Sequence, residues 1–195
     1  MAGILTLTGS PASYTEPLTA SQVKEWLKIS DPSPADAAFD AEINAMIQAA
    51  REQAEYYQGK DLVVKQWDLM LDCFPGISIP LRYPLVSVDS VTYKDSDGVT
   101  TALVENIGYI VDLKRALIMP PYGESWPSFT AWPTSAVAVR FTSGGTPQEI
   151  VKLAMLHAIE YWFTGKGGTE WTPMGATVAP AIERMMRYGA KESVA

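Results

Sequence analysis

One stretch limits the fold more than any other: Thr146–Gly165, TPQEIVKLAMLHAIEYWFTG. Thr146 is placed to cap a helix, Pro147 suits the first helical position, and Glu149 falls three residues after the cap. Gly165 is the stop signal. At about 100° per residue, Glu149, Lys152 and Glu160 form only a narrow polar ridge, and apolar Leu153, Leu156 and Phe163 interrupt it. A helix that is apolar nearly all round needs cover from more than one side. Its length of about 17 residues touches the lower end of the membrane-spanning range. Glu149, Lys152, His157 and Glu160 oppose a span. The expectation is a central helix whose neighbours come from this chain or from another subunit.

Two earlier helices can supply neighbours. Thr19 and Gln22 have capping-box spacing, with Leu18 and Val23 at the two positions of a hydrophobic staple. Val23, Trp26 and Leu27 form the apolar face of that first helix. Asp31-Pro32-Ser33-Pro34 breaks the chain. A second helix then starts at Ser33 or Asp36 and runs to about Gln58, with Gly59 as its stop. Phe39, Ile43, Met46, Ile47, Ala50, Ala54 and Tyr57 form one stripe along it. Asp36, Asp40 and Glu42 in its early turns suit the helix dipole. Residues 1–17 read as an arm, rich in turn residues.

Composition changes at Asp61. Leu62–Phe74, Ile77–Leu81, Leu85–Tyr93, Val99–Leu103, Tyr109–Asp112, Ala116–Met119 and Ala136–Thr142 read as strands. Val86, Val88 and Val91 do not alternate cleanly, which predicts a bulge. Asp95-Ser96-Asp97-Gly98 is a hairpin turn. Leu113-Lys114-Arg115 predicts a second hairpin. Pro120–Pro133 (PPYGESWPSFTAWP) is a loop. After Gly165 a glycine-rich linker leads through an irregular stretch to a short helix over Pro180–Tyr188. Strands in one block between helices imply an α+β fold. It is a helical bundle of two N-terminal helices, one central C-terminal helix and one short terminal helix, with an inserted antiparallel β block. The predicted division is a discontinuous helical domain over 1–60 and 145–195, a β domain over 61–144, and an extended C-terminal segment over 166–195.

Composition excludes several classes of function. The single cysteine, Cys73, allows no intrachain disulfide and points to a reducing compartment. The net charge of −7 opposes nucleic-acid binding as the main task. That charge is uneven: −4 over residues 1–60, −3 over 61–144, and zero over 145–195. Six tryptophans and nine tyrosines can fill cores or build protein contacts. No catalytic or metal-ligating constellation emerges. The only histidine, His157, lies on the central helix, lacks the partners that a metal site or triad needs, and reads as a packed or hydrogen-bonded interior residue. Thr164–Thr169 (TGKGGT) has no Ser or Thr directly after Lys166, so it fails as a phosphate loop. Asp95 and Asp97 belong to a turn, without the further ligands a calcium loop needs. The expectation is no enzyme, no cofactor, no metal and no membrane association.

Several phrases, taken in order, resemble a known family. They are LTASQVKEWLKI, INAMIQAAREQAEYYQGKDL, QWDLMLDCFP, IPLRYPLVSVDSVTYKDSDG, the YIVD of Tyr109–Asp112, the SWP of Ser125–Pro127, VAVRFTSG and PQEIVKLAMLHAIEYWF. The chain resembles the head–tail connector proteins (adaptor, or head-completion, proteins) of tailed phages and related gene transfer agents, from Leu18 to about Tyr188. Only the C-terminal stretch GTEWTPMGATVAPAIERMMRYG matches loosely. The resemblance implies a structural subunit forming a ring, typically of twelve, beneath the portal. The ring extends the DNA channel and presents a docking surface for the stopper or tail. Implied partners are the portal protein, neighbouring copies, and a stopper or tail protein, with genomic DNA passing through unbound. The implied location is the virion, after assembly in the host cytoplasm. In similar proteins the C-terminal segment reaches the portal, which makes Met174, Val178, Ile182, Arg184, Met185, Arg187 and Tyr188 the portal-contact candidates. Asp36, Asp40 and Glu42 are channel-lining candidates. Tyr122, Trp126, Phe129 and Trp132 are candidates for contact with a stopper, tail or neighbour, or else form a packed cover on the sheet. A stopper or tail-completion protein is the alternative role. A carboxylate-based cell-wall hydrolase is a remote one, since it needs two facing carboxylates that nothing in the sequence positions.

Overall fold

The structure is a computed structural model, and it describes residues 3–8, 14–29, 36–165 and 180–188. The chain is α+β. In order it forms β1 (Ile4–Leu7), α1 (Ala20–Trp26), α2 (Asp36–Gln58), β2 (Lys65–Leu71), β3 (Ile79–Pro80), β4 (Leu85–Lys94), β5 (Thr100–Leu103), β6 (Ile110–Asp112), β7 (Leu117–Met119), β8 (Val137–Ser143), α3 (Glu149–Gly165) and α4 (Pro180–Met186). It divides into two compact units. One is Met1–Tyr14 with Val64–Gly145, and the other is Thr15–Val63 with Thr146–Ala195.

The helical unit is organised around α3. The core residues Val151, Ala154, Met155, Ala158, Ile159 and Trp162 are all at most 1% exposed. They share one core with Val23 of α1, with Ile43, Met46, Ile47, Ala50 and Ala54 of α2, and with Met186 of α4. Alpha-1, α2 and α4 all contact α3, which answers the demand of a helix apolar on nearly every side. Alpha-1 starts as its sequence requires: the Thr19 side chain accepts from Gln22 N–H, and the Gln22 side chain closes the box on Thr19 N–H at 2.9 Å. Leu18 and Val23 are both buried. Alpha-2 stops at Gly59, whose φ of +63° a β-carbon would resist. Alpha-3 opens later than its signals predicted. The Gln148 carbonyl, not that of Thr146, accepts the Val151 and Lys152 N–H groups, and Pro147 before it is buried.

The β unit holds two antiparallel sheets, one of five strands in the order β1-β2-β8-β4-β5 and one of three in the order β3-β7-β6. Trp67, Phe141 and Val88 are paired across three strands, as are Leu69, Val139 and Val91. These rows face a core shared with Ile79 and Ile118 of the smaller sheet. Strand β4 carries register shifts between Leu85 and Ser87 and between Val88 and Ser90, the irregularity its valines predicted. Asp95 shapes the β4–β5 turn, accepting from the N–H groups of Asp97 and Val99 at 3.0 and 2.9 Å, with Gly98 at φ +81°.

Two further expectations need correction. Residues 4–7 are not an arm but an edge strand, paired to β2 from Ile4↔Met70 to Leu7↔Trp67. The strand has only four residues and an exposed face, so it has no periodic signal of its own and depends on β2 for its conformation. The strand after α2 starts at Lys65, not Leu62. Leu62 and Val63 are buried residues of the helical unit, and the Leu62 N–H is held by Glu55.

Candidate functional site

Alpha-1 docks on α3 through a mixed polar and aromatic contact. The Trp26 indole N–H donates to Glu160 Oε2 at 3.2 Å. The His157 ring meets Trp26 edge-on with centroids 5.2 Å apart, and its Nδ1 lies 3.4 Å from the same Glu160 oxygen. His157 is therefore not an interior residue. Its side chain is 39% exposed on the rim of the α1–α3 contact. It faces outward because Trp162, Ala158 and Ala154 take the inward side of α3. Between the two helices runs an open groove of about 860 Å³. Leu18, Trp26, Leu153 and Leu156 give it an apolar floor, with Glu25, Lys28 and Glu160 among its rim. Lys152, also on the rim, is paired to Glu149 at 2.7 Å.

The predicted channel-lining carboxylates divide. Asp40 forms an ion pair with Lys24 of α1, so it fastens two helices of the same unit. Glu42 is half-buried. The Asp36 side chain lies outside the described residues.

The predicted portal-contact residues divide as well. Met174 and Val178, with the Lys166–Thr169 linker, lie outside the described residues. Ile182 and Met185 are half-buried against the helical core. Arg187 pairs with Glu183 at 2.8 Å and sits over the Tyr57 ring at 4.9 Å. Only Arg184 and Tyr188 present exposed side chains without an internal role assigned by these contacts. Alpha-4 is thus seated on its own unit, with Met186 fully buried and its carbonyl accepting from Gln58 Nε2 at 2.7 Å.

The aromatic loop also splits between cover and surface. Trp126 is 8% exposed and stacks on Phe74 with centroids 4.7 Å apart. Phe129 tilts against Tyr93 at 4.6 Å. These two seal the core. Tyr122 is fully exposed, and Trp132 lies on the surface with the Lys94 ammonium 4.0 Å above its ring.

The outer face of the large sheet is polar. Arg140 binds Asp68 through two parallel bonds of 2.8 and 2.9 Å, the forked geometry that suits a guanidinium and a carboxylate. Hydrogen bonding from Arg140 holds the Asp68 carboxyl below its ordinary range, against an opposing push from burial. The same bond raises Arg140. Burial, and then the charges of Glu105 and Asp89, raise the Tyr109 phenol, while burial lowers Lys60. No group of three or more His, Cys, Asp or Glu among the described residues could hold a metal ion. No described helix is long and apolar enough to cross a membrane.

Sequence reasoning missed the polar strip of α2. Arg51, Glu55 and Gln58 are at most 6% exposed. Their spacing of four and three residues was the available signal, hidden because long charged side chains on a helix read by default as solvated.

No protein-family model matches the chain, and no curated protein sequence does. Solved structures do match. One is a chain from the neck of an empty GTA particle computed with C6 symmetry, with a TM-score of 0.66 and 19% identity, covering 94% of this chain and 95% of that one. The second is from the virion of a native gene transfer agent (GTA) particle, at 0.65 and 16%, covering 96% and 94%. The third is from the neck of a native GTA particle computed with C12 symmetry, at 0.60 and 19%, covering 94% of each. The fold is that of chains from gene transfer agent particles. At these identities the likeness is one of fold, and it spans both units.

Proposed function

We propose that this protein is a structural subunit of the neck of a tailed phage or gene transfer agent, and that it acts there as the head–tail adaptor. Copies form a ring, with twelve as the number to test, dock beneath the portal, extend the DNA channel and present a surface to the stopper or tail. The observation that carries this reading is the likeness, over nearly the full length of both chains, to chains from GTA necks. The physical character of the chain supports it. A closed ring of identical copies needs two different lateral surfaces, and the groove between α1 and α3 and the Tyr122/Trp132 surface differ in shape and chemistry. A net charge of −7 lets DNA slide past without the counterion release that drives binding. Within this reading Arg184 and Tyr188 contact the portal, together with Met174 and Val178, and the acidic start of α2 faces the channel.

The test is to mix the purified chain with its portal ring and measure the mass of the product. The expected result is a portal carrying a complete ring of this protein, even if the free chain is a monomer. A folded chain that stays free of the portal would sink the adaptor role. Because Met186 belongs to the core, a truncation would confuse folding with binding. Arg184→Glu isolates the contact, and is expected to weaken attachment at least tenfold with the helical content unchanged.

A further inference from the structure

The polar strip of α2 does work that the apolar core does not need. Alpha-2 already meets its neighbours through Ile43, Met46, Ile47, Ala50 and Ala54. Yet Arg51 is buried to 1% exposure beside it. Its Nε donates to both carboxylate oxygens of Glu16, at 2.9 and 3.2 Å. Its Nη1 donates to Glu55 Oε2 at 2.9 Å, and Nη2 lies 3.5 Å from Glu52. The other Glu55 oxygen, Oε1, accepts the Leu62 N–H at 2.9 Å. The Glu55 backbone carbonyl accepts from Gly59 N–H, also at 2.9 Å.

The partners held are not arbitrary. The chain enters the helical unit at Thr15 and leaves it after Val63. Glu16 is one residue inside the entry, and Leu62 is one residue before the last of the unit. The two passages are joined through one guanidinium and one carboxylate. The third passage is built differently. There Gly144 has φ +123° and donates its N–H to Pro84 O at 2.8 Å, a contact made within the β unit. A buried charge that loses a partner is strongly destabilising, so such a network persists only while its members stay in place.

We propose that Arg51 and Glu55 form a conformational latch that fixes, at one point on α2, both of the first two passages of the chain between its units. The latch makes the entry and the exit respond together, while the third passage is set within the β unit by Gly144 and Pro84. Arg51 is a positioning residue here: it acts through Glu16 and through Glu55 on Leu62.

Amide hydrogen exchange of the full chain tests this. With Arg51→Met, the amides of Thr19 at the entry, bonded to Gln22, and of Leu62 at the exit, bonded to Glu55, are expected to exchange at least tenfold faster, together, while those of Val151–Trp162 in α3 keep their rates. Equal acceleration throughout the helical unit would reduce Arg51 to a general contributor to stability and overturn the latch. Acceleration of only one of the two passages would overturn their coupling. A milder variant, Glu16→Gln, keeps the proposal testable if Arg51→Met does not fold. It is expected to speed exchange at Thr19 and at Leu62 together, by a smaller factor than Arg51→Met. Unchanged exchange at either amide would overturn the proposal.

Discussion

The two units close their cores by opposite means. In the helical unit the small residues Ala50, Ala54, Ala154 and Ala158 are fully buried, so helices come close and the larger Met155, Ile159 and Trp162 fill what remains. In the β unit the second sheet has strands of only two or three residues. It is too small to cover a five-stranded partner. Phe74, Tyr93, Trp126 and Phe129, which touch one another in stacked, tilted and edge-on pairs, complete the cover. Periodic packing closes one core, and aromatic side chains, two of them from a loop, close the other.

The largest effect that could break this contrast is at Trp162. Trp162→Ala is expected to destabilise the helical unit by about 3–5 kcal/mol, the usual cost of emptying a large aromatic site. Urea unfolding followed by far-ultraviolet ellipticity reads the helices. The near-ultraviolet signal of the Phe74–Trp126 stack reads the β unit. If the cores are energetically separate, only the first midpoint falls. If both fall together, the contrast is one of construction and not of stability.

Phe74 gives the corresponding test in the β unit. It is half-buried and in contact with three other rings, so Phe74→Ala is expected to cost about 2 kcal/mol, less than a fully buried aromatic. The near-ultraviolet signal of Trp126 is expected to fall with it. Tyr122→Ala, at a fully exposed position of the Pro120–Pro133 loop that carries Trp126, is expected to change stability by no more than about 0.5 kcal/mol. Equal losses at Phe74 and Tyr122 would show that the loop is not a lid on the core.

The same contrast explains what could be read from the sequence. The helices were legible because their instructions are local and periodic: the Thr19–Gln22 box, the stripe from Ile43 to Ala54, and the stop at Gly59. The hairpin at Asp95–Gly98 was legible because an aspartate and a glycine at those positions leave few alternatives. Strand β1 was not, because an exposed four-residue strand takes its conformation from Trp67–Met70. Nor was the surface position of His157, since sequence shows which helix carries a residue but not which flank its neighbours leave open. The Pro120–Pro133 loop announced four aromatic residues. Only contact with Phe74 and Tyr93 separates Trp126 and Phe129, which seal a core, from Tyr122, which does not. Arg51 was invisible for a further reason: its partner Glu16 is distant in sequence, and Glu55 reaches on to the Leu62 N–H beyond the end of α2, so no window contains the network.

The smallest expected effect lies on the polar sheet face, and its sign can be worked out. Arg140 holds the Asp68 carboxyl below the ordinary value near 3.8. A carboxylate whose folded pKa is lowered adds stability above its unfolded pKa and loses it as pH falls through the folded value. Asp68→Asn is therefore expected to be slightly less stable than the natural chain at neutral pH, with the gap closing as pH drops below about 3.8. Salt is expected to narrow the gap too, because the Arg140 end of the pair is half-exposed. Asp68 also interacts with the Thr8 side chain and stands opposite Thr6, so the loss falls first on the attachment of β1. Denaturation midpoints of both chains, measured from neutral pH down to about pH 3, check this. A gap that stays constant over that range would mean that the pair contributes through shape and hydrogen bonding alone, and that the edge strand is held by its ladder to β2 without help from charge.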